Sequence, residues 1–323
     1  MIRVILRLSK FLLREFSRRS GNLMVALIVA SMPIAAVAAE GRIVVASKID
    51  TEGALLGNMI VSLLEARGLP VENKLQLGPT NIVRAAILAG QIDIYPEYTG
   101  NGALFFHLEQ DPVWKDWAKG AAKVAALDRE QNHLVWLAAA SANNTWTIAL
   151  RQDMAERYSL KTMGDLAKYL ASGGRIKLAA SAEFVESPAA LPAFEATYGF
   201  RLNDAQLLTL SGGNTSATLR AAAEGTSGVN AAMAYGTDGA LAALGLTALE
   251  DDKGAQVVYA PAPVVREAVL QQHPEIAAIL DPVFATLTLE TLQQLNAKIA
   301  VEGEDAAAVA VAYLKSKHFL PLP

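Results

Sequence analysis

Arg42-Ile-Val-Val-Ala-Ser47 opens the stretch that decides the fold. Its β-branched run shows no alternation, which suits a strand buried on both faces of a parallel sheet. A helix follows from Thr51 to Arg67, with Asp50 as its N-cap and Gly68 and Pro70 ending it. Val71–Leu77 reads as the next strand. After the turn Gly78-Pro-Thr80, Thr80 is placed to cap a helix over 81–88, and Gly90 closes it. Ile92-Asp-Ile-Tyr95 is a third strand. This βαβαβ order implies a parallel sheet with right-handed crossovers, and hence an α/β protein.

Working outward, residues 111–130 read as a helix with Trp114 and Trp117 on one face, packing the core or an interface. Strands are predicted at 133–137, 146–150, 176–180, 229–235 and 256–259, the last just before Pro261 and Pro263. Helices are predicted at 163–170, 189–198 and 218–224, then at 266–272, 274–280, 289–301 and 305–315. Ser211-Gly-Gly-Asn-Thr215 lacks the lysine and spacing of a phosphate-binding loop and reads as a turn. Glu302, Glu304 and Asp305 read as a solvated surface.

Upstream of the first strand, Arg3, Arg7, Lys10, Arg14, Arg18 and Arg19 precede a 12-residue apolar run, Leu23–Ile34, and then a small-residue tract ending at Ala39. This is the pattern of an export signal, residues 1–39, cleaved near Ala39. The run is shorter than the roughly 20 residues a membrane span needs; a retained anchor is the alternative. Of the 28 Lys and Arg and 32 Asp and Glu, six basic and one acidic residue lie in this segment. The remainder therefore carries 22 basic and 31 acidic side chains, net −9. Such a balance disfavours nucleic acid and anionic lipid and attracts cations. There is no cysteine, and the four histidines (His107, His133, His273, His318) have no metal-ligand spacing. Neither metal nor cofactor is expected.

No sequence motif assembles a catalytic group. Glu183, Lys48 and Asp93 are the only candidates for an enzyme on this scaffold. The better lead is aromatic: Tyr98, Trp146 and Tyr235 fall at or near predicted strand ends. Ligands of open α/β sheets bind beyond the strands' carboxyl ends, and ring faces attract quaternary ammonium groups. The plainer alternative is that these rings pack the core.

Ordered motifs along the chain carry a resemblance. They include Ser47-Lys-Ile-Asp-Thr-Glu-Gly53, Gln91-Ile-Asp-Ile-Tyr-Pro-Glu-Tyr-Thr-Gly100, Asn143-Asn-Thr-Trp146, Ala182-Glu-Phe184, Ala234-Tyr-Gly-Thr-Asp-Gly239 and Ala260-Pro-Ala-Pro263. In this order they resemble the periplasmic glycine betaine/choline substrate-binding proteins of ABC importers, over essentially all of residues 40–323. Gly228-Val-Asn-Ala-Ala-Met233 is most similar to an osmoprotectant-binding subgroup.

The resemblance implies a type II periplasmic-binding-protein fold: two α/β lobes, two crossings between them and a ligand cleft. It places lobe 1 at 40–143 and 238–323, and lobe 2 at 144–237. It implies a monomeric periplasmic receptor that performs no chemistry and delivers a small quaternary ammonium ligand to membrane permease subunits. The alternatives are a receptor for a choline-like cation and a sensor for a membrane signalling partner.

Residue by residue, the resemblance makes Tyr98, Trp146 and Tyr235 an aromatic cage. Lys48 and Asn101 would meet a ligand carboxylate, and Asn144 stands where a carboxylate can occur. Ser187 stands where many members carry a carboxylate-clamping arginine, and Asn230 replaces a common aspartate. Loss of a charge-assisted pair of that kind costs about 1.5–3 kcal/mol, roughly ten- to 150-fold in affinity.

Overall fold

The computed structural model describes residues 41–210 and 215–321. The expected export segment and most of the 211–215 turn lie outside the described residues. Ten strands are described: β1 (Ile43–Lys48), β2 (Val71–Gly78), β3 (Ile94–Tyr98), β4 (Leu134–Trp136), β5 (Trp146–Arg151), β6 (Leu178–Ser181), β7 (Leu207–Leu210), β8 (Ala231–Tyr235), β9 (Leu246–Ala248) and β10 (Pro261–Arg266). They form two five-stranded sheets, ordered β2-β1-β3-β10-β4 and β7-β6-β8-β5-β9. In each, three parallel strands are joined by one antiparallel strand that arrives from elsewhere in the chain: β10 beside β3, and β5 beside β8. This is the two-lobed type II arrangement, and the first lobe is built from two separate chain segments.

Helix Thr51–Ala66 organises the first lobe. Asp50 caps it by accepting from the Gly53 N–H at 2.7 Å. Leu55, Leu56, Met59, Ile60, Leu63 and Leu64 are all fully buried. A helix apolar on most sides must be covered on most sides. Here the sheet lies on one side, and helices Glu275–Phe284, Leu289–Ala300 and Ala306–Ser316 supply the rest of one continuous core.

Several expectations are corrected. Thr80 is the first residue of helix Thr80–Leu88, not its cap; Pro79 holds that place and makes no side-chain cap bond. The third strand begins at Ile94 rather than Ile92 and runs on to Tyr98. Residues 256–259 form no strand. The strand is β10, which begins at Pro261 itself. Prolines lack an N–H but keep a carbonyl, and this ladder uses the carbonyls: Pro261 accepts from Ala140 at 2.8 Å and Pro263 from Leu137 at 2.9 Å. The helix expected over 111–130 is broken. Asp111 caps a 3₁₀ turn, Pro112–Lys115, and Asp116 then caps helix Trp117–Asn132. Trp114 is therefore fully buried and donates to the Leu108 carbonyl. Trp117 is 42% exposed and donates to Ala140. Short elements without a periodic signal, helices Gln152–Tyr158 and Ala182–Glu186 with strands β7 and β9, were not anticipated.

The return to the first lobe also lies later than the expected 237/238 boundary. Strand β9 pairs with β5, and Thr162 bridges Glu250, so the second lobe continues past Glu250. The two crossings then run side by side. Asn144 N–H donates to the Tyr259 carbonyl at 3.0 Å, and Tyr259 N–H donates to Asn143 Oδ1 at 2.8 Å. The lobes also meet where Gly239 abuts helix Leu289–Ala300. A Cβ at Gly239 would lie 2.1 Å from Ala297 N and 2.4 Å from the Asn296 carbonyl carbon, both backbone atoms that cannot swing aside. Gly239→Ala is expected to destabilise the protein by about 1–3 kcal/mol, the usual range for overpacking, read as a lowered urea midpoint with unchanged slope.

Candidate ligand cavity

The sheets' facing edges and adjoining helices line an open cavity of about 650 Å³. The strand directions place its walls. Lys48 ends β1 and Tyr98 ends β3 in the first lobe; Tyr235 ends β8 in the second. Trp146 begins β5, but β5 is antiparallel to β8, so the same edge receives it. Trp146 and Tyr235 are direct register partners. Their rings stack at 6.3 Å between centroids and 21° between planes, and Phe184 meets Trp146 edge-on at 5.9 Å. A 6.3 Å separation is ring–ring contact rather than a slot, so a ligand meets the outer faces.

The first-lobe wall is a network around two buried carboxylates. Glu52 receives the Tyr98 hydroxyl at 2.7 Å, Asn296 Nδ2 at 2.7 Å and Asn144 Nδ2 at 3.3 Å. Burial pushes its carboxyl above the ordinary value, against the lowering effect of these bonds. Glu97, which is fully buried, receives at its Oε1 the Lys48 ammonium, the Tyr98 N–H at 2.7 Å and Asn101 Nδ2 at 2.8 Å. Lys48 also sits 4.4 Å from the Tyr98 ring centroid, a cation–π contact made within the protein.

Six of the expected site residues line the cavity: Lys48, Tyr98, Asn101, Asn144, Trp146 and Tyr235. Ser187 does not. It closes helix Ala182–Glu186, its N–H donating to the Glu183 carbonyl, and Glu183 lines the cavity instead. Asn230 lies at the far end of β8, bound to Lys177 N and the Arg175 carbonyl. Asp93 precedes β3, at the opposite end from Tyr98, where it accepts from Val44 N and Arg266 Nη1. The candidate catalytic group of Glu183, Lys48 and Asp93 is therefore not assembled.

Sequence reading missed Glu52, Glu97, Asp50, Asp238, Tyr259 and Asn296. The one available signal was Glu97, a carboxylate inside a strand with every residue buried, which requires a partner. Among the lining residues Lys48 faces Asp50, Glu52, Glu183 and Asp238, and no arginine is present. Burial raises the Tyr235 hydroxyl, and Glu183, Asp238 and Asp50, which line the same cavity, raise it further. Asp238 accepts from Tyr235 N–H and the Thr215 hydroxyl, yet burial lifts its carboxyl to about 6. Aromatic faces and carboxylates in one cavity wall both favour a cation. Among the described residues no cluster of histidine, aspartate and glutamate could hold a metal ion, and no helix is long and apolar enough to cross a membrane.

The fold and this cavity define a substrate-binding protein. The chain belongs to the family described as the substrate binding domain of ABC-type glycine betaine transport systems, whose model matches residues 41–316. It is 59% identical over 273 residues to the glycine betaine-binding protein YehZ of Escherichia coli, covering 84% of this chain and 90% of that one. It is 32% identical over 282 residues to a glycine-betaine-binding protein of Pseudomonas aeruginosa, covering 85% and 88%. The solved structure of apo YehZ from Escherichia coli superposes with a TM-score of 0.80 at 61% identity, over 86% of this chain and 99% of that one. The family's role is ligand binding for an ABC importer, in company with permease components, and not catalysis.

Asp238 gives the cavity a pH dependence. Above about 6 its carboxylate is charged and attracts a cation; as pH falls through that value protonation removes the attraction. The affinity for tetramethylammonium, whose charge does not titrate, is expected to fall about three- to tenfold between pH 8 and pH 5. Asp238→Asn should flatten the part of that profile near pH 6, as measured by titration calorimetry at each pH.

Proposed function

We propose that this protein is the soluble periplasmic receptor of an ABC importer and that it binds a quaternary ammonium ligand against the Trp146–Tyr235 ring stack. Glycine betaine is the ligand named for the relatives, and it is the first compound to test. In this reading the segment 1–39 directs export and is cleaved near Ala39. The remainder acts as a monomer, binds no nucleic acid, and passes its ligand to the permease subunits.

The observation that carries the reading is the pairing of Trp146 with Tyr235 in the cavity, beside Asp238 and Glu183. A quaternary ammonium group offers no hydrogen bond, so ring faces and nearby carboxylates are the two features that hold it. Each ring face contributes about 0.5–1 kcal/mol at an exposed site and about 2 kcal/mol or more when desolvated. Trp146→Ala and Tyr235→Ala are each expected to weaken binding of glycine betaine and of tetramethylammonium by about tenfold or more. Unchanged affinity in both variants by isothermal titration would remove the ring stack from the site.

A further inference from the structure

Helix Leu289–Ala300 serves both lobes, and its residue spacing shows how. Leu292 and Leu295 are buried in the first-lobe core, and Ile299 packs against it. Gln293, Asn296 and Ala297 recur three and four apart and form a second face. That face meets the second lobe just past β8. Gln293 Nε2 donates to the Gly236 carbonyl at 2.7 Å, and Asn296 Nδ2 donates to the Thr237 carbonyl at 3.0 Å. Gly239 lies backbone against backbone on Asn296 and Ala297, and helix Ala240–Ala243 packs beside them. Asn296 Nδ2 also donates to Glu52, which receives the Tyr98 hydroxyl. Hydrogen bonds thus run unbroken from the first-lobe cavity wall to the second lobe.

The same segment is tied to the crossings. Gly236 N–H donates to the Thr145 carbonyl at 2.9 Å, and Asn143, Asn144 and Tyr259 bind the crossings to each other. The lobes are therefore held at two places, the crossings and this helix. Neither tolerates much sliding. A hydrogen bond is lost beyond about 3.5 Å, and the backbone packing at Gly239 leaves no room to shift toward the helix. A rigid rotation leaves unmoved only the points on its axis. We propose that helix Leu289–Ala300 is a second pivot: the second lobe closes by rotating about a line through the crossings and the Gly236–Gly239 contact, and Gln293 and Asn296 are the positioning residues that fix this line. Thr80 in the first lobe and Glu183 in the second line the cavity and take no part in the joint, and closure brings them together. This deepens the reading of the protein as a receptor that closes on its ligand, and rests on it.

The chain has no cysteine, so introduced pairs can be spin-labelled without background. Asn81→Cys with Glu186→Cys spans the cavity mouth, and Ala243→Cys with Lys298→Cys spans the joint, all from exposed positions. Pulsed electron–electron resonance reads each distance without ligand and with saturating glycine betaine. The mouth pair is expected to shorten by about 2 Å or more, and the joint pair to change by less than about 1 Å. A joint pair that moves as far as the mouth pair would overturn the proposal, because the contact would then be a latch that opens. Betaine bound by titration calorimetry with no change at the mouth would also overturn it, while the receptor reading stands. If betaine does not bind, that reading loses its ligand and the free protein decides. Mouth distances more broadly distributed than joint distances then support the pivot, and equal widths overturn it. Gln293→Ala in the mouth-labelled protein is expected to broaden the mouth distribution and to weaken betaine about threefold or more, since a looser joint is less preorganised. Asn296→Ala added to it should broaden the distribution further. Unchanged distributions in both variants would remove Gln293 and Asn296 as positioning residues. Should circular dichroism show the double variant unfolded, Gln293→Ala decides alone.

Discussion

The buried pairing of Lys48 with Glu97 holds the cavity edge of the first lobe together. Strand β3 is buried along its whole length, so a carboxylate in it has no route to water. An unpaired buried charge of this kind costs several kcal/mol. Glu97 escapes that cost because β1, the neighbouring strand, ends in Lys48, because the next residue of β3, Tyr98, donates its backbone N–H, and because the chain after β3 brings in Asn101. One oxygen thus ties the end of β1 to the end of β3 and to the short helix behind it. Tyr98 is fixed by the same contacts, with its N–H on Glu97, its ring under Lys48 and its hydroxyl on Glu52.

Glu52 extends this network across the chain. Its partners come from β3, from the first crossing (Asn144) and from a C-terminal helix (Asn296). Asn296 also donates to the Thr237 carbonyl, just past the end of β8 in the second lobe. The wall of the cavity and the joint between the lobes therefore share side chains. A ligand that contacts this wall also contacts groups that hold the two lobes in register, which is the physical coupling that lobe closure around a ligand requires.

The second lobe contributes differently. Its wall centres on the ring stack, whose geometry strand register sets, with Asp238 held beside it by Tyr235 N–H and the Thr215 hydroxyl. Small residues fill the positions behind the rings: Ala149, Ala179, Ala232 and Ala234 are fully buried in one layer. Trp146 and Tyr235 project from the other side of that ladder's end. A polar network thus faces an aromatic wall that also carries Glu183 and Asp238, and the excess of carboxylates makes the space between them a low-energy place for a cation.

The sequence by itself determined the α/β class, the βαβαβ opening, the Asp50 cap and most long helices. Those follow from local periodicity and capping, which act within a turn or two of the chain. The residues quoted for the family resemblance also located six side chains of the cavity wall. What the sequence did not show was decided by distant chain segments. Strand β10 enters the first sheet antiparallel from more than 160 residues beyond β3, with prolines that read locally as strand breakers. Strand β9 keeps the second lobe going past the glycine-rich turn that resembles a boundary. The stack of Trp146 on Tyr235 exists because β5 and β8 pair in one register, 89 residues apart. The occupation of Lys48 by Glu97 and the placement of Ser187 outside the cavity are likewise properties of packed neighbours. Periodicity reports which face of an element is buried; only the assembled sheets decide which side chain from elsewhere meets it there.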